Sequence, residues 1–372
     1  MIAPFFGGSH RTWAQQWQQC SRHNIHLFTL PGRHWKWRMQ AGAVSLARQW
    51  LQADRPAPDV LVATDMLDLP TFLGLTRQRT AHLPVLLYFH ENQITYPWSP
   101  SDPDPQLHRD YTYGMINFRS ALAADRIAFN SKYHHRGFLD ALPEFLQRFP
   151  DHREESQAAA LDRKSMVLPL GMDLTSLDQN SIRPKRVVGT ILWNHRWEYD
   201  KNPDLFFSWL FRLQAEQVPF HLIVLGEAYQ RRPAIFAEAR EKLSDHILHF
   251  GFTPERSAYI DWLLQSDLLP VTSYQDFFGG SVVEGIFAGC YPILPNRLAY
   301  PEHIPDSEKA SCLYTSDEEG YQKLKSALLN LNVVRRRTKD FSPHLMNYDW
   351  SRVGNKYDDL IEDMARILPA QP

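Results

Sequence analysis

The chain has 372 residues, a length that favours two α/β domains over a single core. A hydrophobic fraction of 44% is typical of a globular protein, and no window approaches the roughly 18 uncharged apolar residues of a membrane helix. The formal net charge of −2 excludes a chain-wide attraction for nucleic acid, so RNA binding would require a local basic patch.

The N-terminal segment MIAPFFGGSH lacks the charged region, apolar run and cleavage site of a secretory signal peptide. Cys20, Cys290 and Cys312 are far apart, which indicates neither a disulfide framework nor a Cys-based zinc site. We therefore expect a cytoplasmic protein in a reducing compartment.

Short apolar runs alternate with longer helical patterns along the whole chain, which predicts two parallel sheets covered by helices. After a short first strand, the strands of the first half are expected at 26–30, 60–63, 85–89, 127–130 and 166–170. Those of the second half are expected at 188–193, 220–225, 247–250, 268–271 and 291–294. The polar stretch 171–186 predicts the boundary between a domain 1–172 and a domain 173–347. Apolar residues at helical spacing in 348–368 predict a final helix.

A polar cluster, His90-Glu91-Asn92-Gln93, follows directly after the predicted strand 85–89. Ligands of parallel α/β sheets bind at the carboxyl ends of the strands, so these side chains are candidates for a binding site. The alternative is that His90 is a structural histidine, as most of the 16 histidines are expected to be.

Two further groups follow strands of the first half. The glycines Gly7 and Gly8 form either a ligand-approaching loop or a tight turn. Asp65 follows the strand 60–63 with Asp68 three residues later, and one of the two could instead cap the next helix.

Segment 33–38 (RHWKWR) interleaves cations with aromatic rings, a pattern suited to RNA through phosphate pairing and base stacking. The arginine run 335–337 is more typical of a solvated helix end. Segment 99–105 contains Asp102-Pro103-Asp104, which is similar to a metal-binding Asp-X-Asp, but three prolines in seven residues predict an exposed loop without a metal role.

In the second half, segment 193–203 (WNHRWEYDKNP) follows a predicted strand and precedes a helix. Arg196 and Lys201 could hold a diphosphate between them, or could be two ordinary surface cations. Asn202 followed by Pro203 predicts a helix start in which Asn caps and Pro occupies the first turn.

Segment 274–284 (YQDFFGGSVVE) follows the strand expected at 268–271. Gly279 and Gly280 allow close backbone approach to a ligand, and Ser281 opens a helix whose free amides attract phosphate. Glu284 could accept hydrogen bonds from vicinal ribose hydroxyls, and Asp276 from sugar hydroxyls. The alternative is a glycine-rich turn with two solvated acids.

The order Arg, Lys and acid-X7-Glu resembles the retaining nucleotide-sugar glycosyltransferases of the GT-B fold, specifically family 4. Over nearly the whole chain, the sequence is similar to the tRNA-queuosine α-mannosyltransferases, through PFFGGSH, KWRM, TDMLDL, LYFHENQITYP, WNHRWEYDKNP and FFGGSVVEGIFAGCYPILPNRLAYPE. The chain departs from the family at Asp276, where members typically carry Glu, and at Gly280, where they carry an aliphatic residue. These departures leave open a sugar other than mannose.

The resemblance implies an α/β GT-B fold with two Rossmann-like domains facing a central cleft, which closes over both substrates, and a last segment 348–372 that crosses back to the N-terminal domain. It implies that domain 1–172 binds the acceptor and domain 173–347 the donor. The implied reaction transfers mannose with retention from GDP-mannose to queuosine in the anticodon of tRNA-Asp. No metal or other cofactor is expected, because Arg196 and Lys201 would stabilise the leaving diphosphate. The expected partners are a nucleotide sugar and queuosine-containing tRNA, with no membrane and no obligate protein partner.

The resemblance also assigns roles to individual residues. The catalytic residues are expected to be His90, Arg196, Lys201 and Asp276. Donor binding is expected of Gly8, Asn194, Arg196, Lys201, Glu227, Phe278, Gly279, Gly280, Ser281, Val282 and Glu284. Acceptor binding is expected of Trp37, Arg38, Asp65, Glu91, Asn92, Gln93 and Tyr96. Removing Arg196 or Lys201 should cost about 100-fold in rate, the usual loss for one donor to a developing anion.

Three alternatives remain open at this stage. The chain could be a family 4 enzyme that uses another nucleotide sugar and a glycan, lipid or small-molecule acceptor. It could be a nucleotide-sugar 2-epimerase, although that function gives no reason for the segment 33–38. It could also be a catalytically silent tRNA-binding module, although the intact Arg196, Lys201 and Glu284 argue against this.

Overall fold

The computed structural model describes residues 1–154, 156–177, 186–227 and 233–366. The chain divides into two compact units, unit 1 with Met1–Met172 and Trp350–Pro372, and unit 2 with Asp173–Asp349. Among the described residues, no helix is both long enough and apolar enough to span a membrane.

The described strands are β1 (Ile2–Phe6), β2 (Phe28–Pro31), β3 (Leu61–Thr64), β4 (Val85–Phe89), β5 (Arg126–Phe129), β6 (Ser165–Val167), β7 (Thr190–Trp193), β8 (His221–Val224), β9 (Ile247–Phe250), β10 (Leu268–Pro270), β11 (Tyr291–Pro295) and β12 (Leu313–Tyr314). The described α-helices are α1 (Gly8–Cys20), α2 (Trp35–Gln52), α3 (Leu69–Thr80), α4 (Tyr111–Ala123), α5 (Lys132–Gln147), α6 (Gln157–Arg163), α7 (Pro203–Ala215), α8 (Ile235–Lys242), α9 (Arg256–Gln265), α10 (Gly280–Phe287), α11 (Lys309–Cys312), α12 (Asp317–Leu329), α13 (Leu331–Arg337), α14 (Ser342–Leu345) and α15 (Trp350–Arg366).

Unit 1 is built on a parallel sheet with strand order β2-β1-β3-β4-β5-β6. Its central strands are apolar and buried along their whole length, because helices cover both faces. The backbones leaving β1 and β2 approach closely: a Cβ added at Gly32 would lie 2.5 Å from Gly7 Cα. Only glycine fits there, so the two loops can run side by side at the carboxyl edge of the sheet.

The C-terminal helix α15 completes the core of unit 1. Tyr357 is fully buried, accepts a hydrogen bond from Trp13 Nε1 at 3.1 Å and donates to Tyr88 Oη at 2.9 Å. Asp358 accepts from Trp17 Nε1 and from the Ser21 hydroxyl. The last helix therefore packs on the first helix of the chain.

Unit 2 repeats the architecture with a parallel sheet of order β12-β11-β10-β7-β8-β9. Its strands are equally apolar, and the side chains of Ile191, Leu222, Leu269 and Ile293 are fully buried. The prediction of two parallel sheets is confirmed. The two-residue strand β12 was not predicted, because Leu313–Tyr314 is too short to give a periodic signal.

Two surface interpretations from the sequence are correct in part. The run 335–337 ends α13 as predicted and Arg336 is exposed, but Arg335 donates to fully buried Asp267 at 2.8 Å and Arg337 pairs with Glu308. The segment 99–105 is a loop with exposed residues as predicted, but Asp104 within it is 7% exposed and accepts from Lys36 at 2.5 Å.

Candidate active site

The carboxyl ends of β7 and β10 lie side by side in unit 2. Leu268 of β10 pairs with Ile191 of β7, so the two strands end at the same edge of the sheet. Residues 194–202 follow β7 and residues 271–279 follow β10, which brings the two segments predicted to bind a donor into one place.

Lys201 lies at the centre of this edge and is buried, with 7% of its side chain exposed. Its ammonium donates to the Gln275 carbonyl at 2.6 Å and lies 3.0 Å from Asp276 Oδ1 and 3.2 Å from Asp200 Oδ2. The interpretation of Lys201 as a surface cation is therefore wrong. A buried ammonium between two carboxylates fixes the geometry of both segments.

Arg196, the other predicted cation, has a different environment. Its side chain is 46% exposed, and Nη1 lies 3.7 Å from Glu198 Oε2. Nearly half of this side chain is therefore open to solvent, in contrast to the buried Lys201.

Asn202 starts α7 for a different reason from the one predicted. It occupies the N-cap position, but its side chain makes no capping hydrogen bond. Its φ is 51°, in the left-handed region that Asn tolerates better than most residues. The Thr272 hydroxyl at the end of β10 lies within hydrogen-bond distance of the Lys201 and Asn202 carbonyls and so ties the turn to the neighbouring strand.

Asp276 is held from two sides. Lys201 lies at 3.0 Å from Oδ1, and the Tyr300 hydroxyl donates to Oδ2 at 2.5 Å. Burial alone would raise the pKa of this carboxyl, but the charge of Lys201, with His195 and the Tyr300 hydrogen bond, brings the pKa below its usual value. Asp276 is therefore an ionised acceptor at neutral pH.

The glycine turn before α10 has a left-handed backbone conformation that favours glycine, and it makes one unpredicted contact. Gly279 has φ +83°, and a Cβ there would lie 3.0 Å from the Tyr300 ring. α10 starts at Gly280, one residue before the predicted start at Ser281. The amide of Val282 donates to the Gly279 carbonyl at 2.9 Å within the first turn of α10, and its place in an anion cradle stays a prediction.

Glu284 projects from α10 and already has two partners. Arg256 Nη2 donates to Oε1 at 2.6 Å, and the Tyr259 hydroxyl donates to Oε2 at 2.9 Å. Arg256 and Tyr259 were not predicted from the sequence. Both lie on α9, whose place beside α10 depends on the sheet order, so no local motif identifies them.

His195 is a further residue that the sequence analysis missed. It is 3% exposed, its Nδ1 lies 3.3 Å from Ser281 Oγ, and the structure gives no hydrogen-bond partner for its Nε2 among the described residues. Burial lowers its pKa to about 4, so the ring is neutral at physiological pH. Its position directly after β7, between Asn194 and Arg196, was a signal that could have identified it.

Three other predicted donor residues have varied surroundings. Asn194 donates to the Ser281 carbonyl at 2.6 Å and so links the end of β7 to α10. Phe278 is 5% exposed and its ring packs against His303, which gives it a structural role in this state. Glu227 is exposed after β8.

Unit 1 carries a second polar group at the carboxyl ends of β3 and β4. Asp65 Oδ1 accepts from the His90 amide at 3.1 Å, and Asn117 donates to the Asp65 carbonyl at 2.9 Å. Burial raises the pKa of Asp65 well above its usual value. Asp68, the alternative to Asp65, caps α3 by accepting from the Thr71 amide.

His90 is buried directly after β4, with 8% exposed. Its ring lies 4.2 Å from the ring of His10 and 4.5 Å edge-on to Trp13. Burial and the neighbouring histidines His10 and His134 lower its pKa well below the usual value, so it is neutral. His10 follows Gly8, which opens α1 with φ +50°.

The segment after His90 is partly structural. The Asn92 side-chain oxygen accepts from the Ile94 and Thr95 amides, so it caps a turn rather than facing solvent. Gln93 Nε2 donates to Glu91 Oε1 at 2.9 Å. Tyr96 is half-buried in the same turn.

In the basic aromatic segment 33–38, only some members are accessible. Trp37 is 63% exposed, and Arg38 Nε donates to the Pro31 carbonyl at 3.0 Å. The ammonium of Lys36 is engaged within the protein, because it contacts Asp102 at 2.6 Å and lies 5.1 Å from the Trp98 ring centroid. The ammonium of Lys36 thus lies where a metal ion would lie if Asp102-Pro103-Asp104 were a metal-binding Asp-X-Asp motif.

The sequence that forms this site matches known protein families. Residues 1–172 match the family described as tRNA-queuosine alpha-mannosyltransferase N-terminal, and residues 180–342 match Glycosyl transferases group 1. The tRNA-queuosine alpha-mannosyltransferase of Drosophila melanogaster is 33% identical over 365 residues, which cover 96% of this chain and 93% of that protein.

Solved structures agree on the fold. An E. coli structure described as trehalose-6-phosphate bound with UDP-2-fluoro glucose matches with a TM-score of 0.66 at 12% identity, over 99% of both chains. Sucrose-phosphate synthase from Thermosynechococcus elongatus matches with a TM-score of 0.65 at 14% identity, over 90% of this chain and 80% of that one. The prediction of a two-domain α/β GT-B fold is confirmed. The chain is a glycosyltransferase and belongs to the tRNA-queuosine α-mannosyltransferase family.

Proposed function

We propose that this glycosyltransferase transfers mannose from GDP-mannose to queuosine in tRNA-Asp, with retention of the anomeric configuration. The observation that carries the proposal is the convergence of Arg196, ionised Asp276, the Gly279 turn and Glu284 at one edge of unit 2. That set offers a cation for phosphate, a carboxylate for each of two hydroxyl-bearing rings and a glycine turn whose backbone a ligand can approach. Family membership supplies the acceptor class.

On the donor side, Arg196 would turn from Glu198 to the diphosphate, where its charge stabilises the leaving group. Glu284 would accept hydrogen bonds from the ribose hydroxyls, and Asp276 would accept them from the hydroxyls of the transferred sugar. Arg256 and Tyr259 orient the Glu284 carboxylate before the donor arrives, which lowers the cost of ordering it. Lys201 acts mainly by holding Asp276.

The proposed chemistry needs no protein base. The bond between the anomeric carbon and the diphosphate oxygen breaks while the acceptor hydroxyl oxygen bonds to the same face of that carbon. The acceptor proton moves to the departing phosphate oxygen, and GDP leaves. We propose that the reaction is metal-independent, with Arg196 supplying charge stabilisation and α10 the dipole of its N-terminus.

We assign acceptor recognition to unit 1. The buried, neutral His90 and the Asp65 carboxyl lie at one sheet edge and can exchange hydrogen bonds with hydroxyl groups. Exposed Trp37 beside Arg38 offers a stacking surface and a phosphate contact for RNA. The cytoplasmic location stays a prediction.

The test is to incubate the protein with GDP-mannose and queuosine-containing tRNA-Asp, then digest the RNA and weigh the nucleosides. We expect a gain of one hexose on queuosine, no gain on the same tRNA lacking queuosine, and about a 100-fold slower gain with Arg196→Ala. Hexose transfer from another nucleotide sugar, or to another acceptor, would support the family 4 alternative. Binding of tRNA with no transfer from any nucleotide sugar would support the silent-module alternative.

A further inference from the structure

The carboxylate of Asp276 is clamped between two buried donors that come from different parts of unit 2. Lys201, which follows β7, lies at 3.0 Å from Oδ1, and Tyr300, which follows β11, donates to Oδ2 at 2.5 Å. We infer that Tyr300 is a positioning residue that orients Asp276 and thereby determines which sugar the enzyme accepts. The inference rests on the proposed function in one respect, the assignment of Asp276 to the donor sugar.

Both arms of the clamp are rigid. Tyr300 is fully buried and begins the 3-10 turn Tyr300–His303. Lys201 is fixed by Asp200 at 3.2 Å and by the Gln275 carbonyl at 2.6 Å. Because neither donor can move freely, the carboxylate plane of Asp276 has one defined orientation.

Tyr300 also controls the backbone beside Asp276. Its ring lies against Gly279, where an added Cβ would come within 3.0 Å of it. The same side chain therefore supports the acid through its hydroxyl and the turn before α10 through its ring. A shift of Tyr300 would move both groups that face the donor.

The length of the acid fits this clamp. A Glu side chain at this position would place its carboxylate one carbon–carbon bond farther from the backbone. The donors of Tyr300 and Lys201 meet the carboxylate at the length of Asp276. The length of this side chain is thus matched to its two donors.

A carboxylate has about four lone-pair positions, and the clamp uses two of them. The remaining two can accept hydrogen bonds from sugar hydroxyls, and their directions are set by the plane that Tyr300 fixes. Sugars that differ in the orientation of one hydroxyl should therefore be discriminated by this plane.

Tyr300→Phe tests the inference because it removes one hydroxyl and keeps the ring against Gly279. We expect kcat/KM for GDP-mannose to fall about 10-fold or more, the usual effect of losing a hydrogen bond to a charged group. Inhibition by GDP should change less than about twofold, because GDP lacks the sugar. The ratio of kcat/KM for GDP-mannose to kcat/KM for GDP-glucose should fall. The acid limb of the pH profile of kcat/KM should move to higher pH. The reason is that the ionised form of Asp276 loses a stabilising donor, which raises its pKa.

Tyr321→Phe is the matched control. Tyr321 is also fully buried in unit 2, and its hydroxyl donates to Glu216 Oε2 at 2.6 Å, far along the chain from the site segments. Tyr321→Phe also removes a hydroxyl that donates to a carboxylate, but it should move neither the acid limb nor the sugar preference. If Tyr300→Phe changes the acid limb and the sugar preference no more than Tyr321→Phe does, Tyr300 is merely structural and the inference is overturned.

A second readout separates this inference from the proposed function. In the donor-free protein with isotope-labelled aspartate carboxyls, the Asp276 resonance is assigned by its loss in Asp276→Asn. Its titration midpoint should rise in Tyr300→Phe and stay unchanged in Tyr321→Phe. This result holds whether or not GDP-mannose is the donor, and an unchanged midpoint in Tyr300→Phe would overturn the clamp. Absence of mannose transfer by the wild type would instead count against the proposed function.

Discussion

Replacing Lys201 by Met should destabilise unit 2 as well as impair catalysis. The ammonium is 7% exposed and neutralises two carboxylates, at 3.0 Å on Asp276 and 3.2 Å on Asp200. Met keeps the volume of the side chain but removes the ammonium that contacts both acids. Breaking a buried ion pair by removing one partner costs about 3–5 kcal/mol. For a unit of this size, that loss corresponds to a fall in Tm of about 6–20 °C.

The measurement is thermal and urea unfolding followed by tryptophan fluorescence, alongside the rate of mannosyl transfer. Lys325→Met is a matched control in unit 2, because Lys325 pairs with Glu216 at 2.7 Å but is 33% exposed, and it should cost less than about 1 kcal/mol. Adding Asp200→Asn to Lys201→Met should recover about 1 kcal/mol or more by removing one uncompensated charge. A Lys201→Met protein as stable as Lys325→Met would refute the reasoning.

Three further predictions concern other parts of the molecule. Arg196→Ala should slow transfer about 100-fold while changing the free energy of unfolding by less than about 0.5 kcal/mol, since the side chain is 46% exposed; a large loss of stability would contradict this. Lys36→Met should raise the KM for tRNA about tenfold and leave the KM for the nucleotide sugar unchanged, because losing the contacts with segment 99–105 would disturb the start of α2, which carries Trp37; equal changes in both constants would contradict a role of this region in RNA binding. Burial lowers the pKa of His195 and of His303 to about 4, against 6.5 in the unfolded chain, so their contribution to stability is complete above pH 6.5 and is lost as the pH falls toward 4. Each should contribute about 2 kcal/mol to the loss between pH 7 and pH 5, and His303→Gln should reduce that slope in urea unfolding; an unchanged slope would show that His303 is protonated in the folded protein.

The sequence predicted the sheets well because each buried strand is a short apolar run with its own local signal. The segment Val85–Phe89 was predicted to the residue, and polar side chains were correctly expected at the strand ends. The short strand β12 lacked such a signal. Asn202 shows a related failure: its place at a helix start was read correctly, but its physical reason is a left-handed backbone conformation, which no residue pattern reveals.

The interactions within the candidate site were harder to predict, because they join residues that are distant in the sequence. Glu284 meets Arg256 across 28 positions, and Asp276 meets Tyr300 across 24. Such pairs depend on which strands are neighbours in the sheet. The acids and Lys201 were therefore visible in the sequence, whereas the other groups that orient the acids, Arg256, Tyr259 and Tyr300, were not.

The return of the chain at Trp350 has a consequence for biosynthesis. The Trp350 amide donates to the Met172 carbonyl at 3.0 Å, and Asp349 accepts from the amides of Leu174 and Thr175. Unit 2 is thus an insertion whose two ends leave unit 1 at neighbouring points. During translation, unit 2 can fold as soon as its own residues emerge from the ribosome, whereas unit 1 must wait for α15, which is made after all of unit 2. Unit 1 therefore matures after unit 2, and a premature stop codon near residue 350 would leave a folded unit 2 attached to an incomplete unit 1.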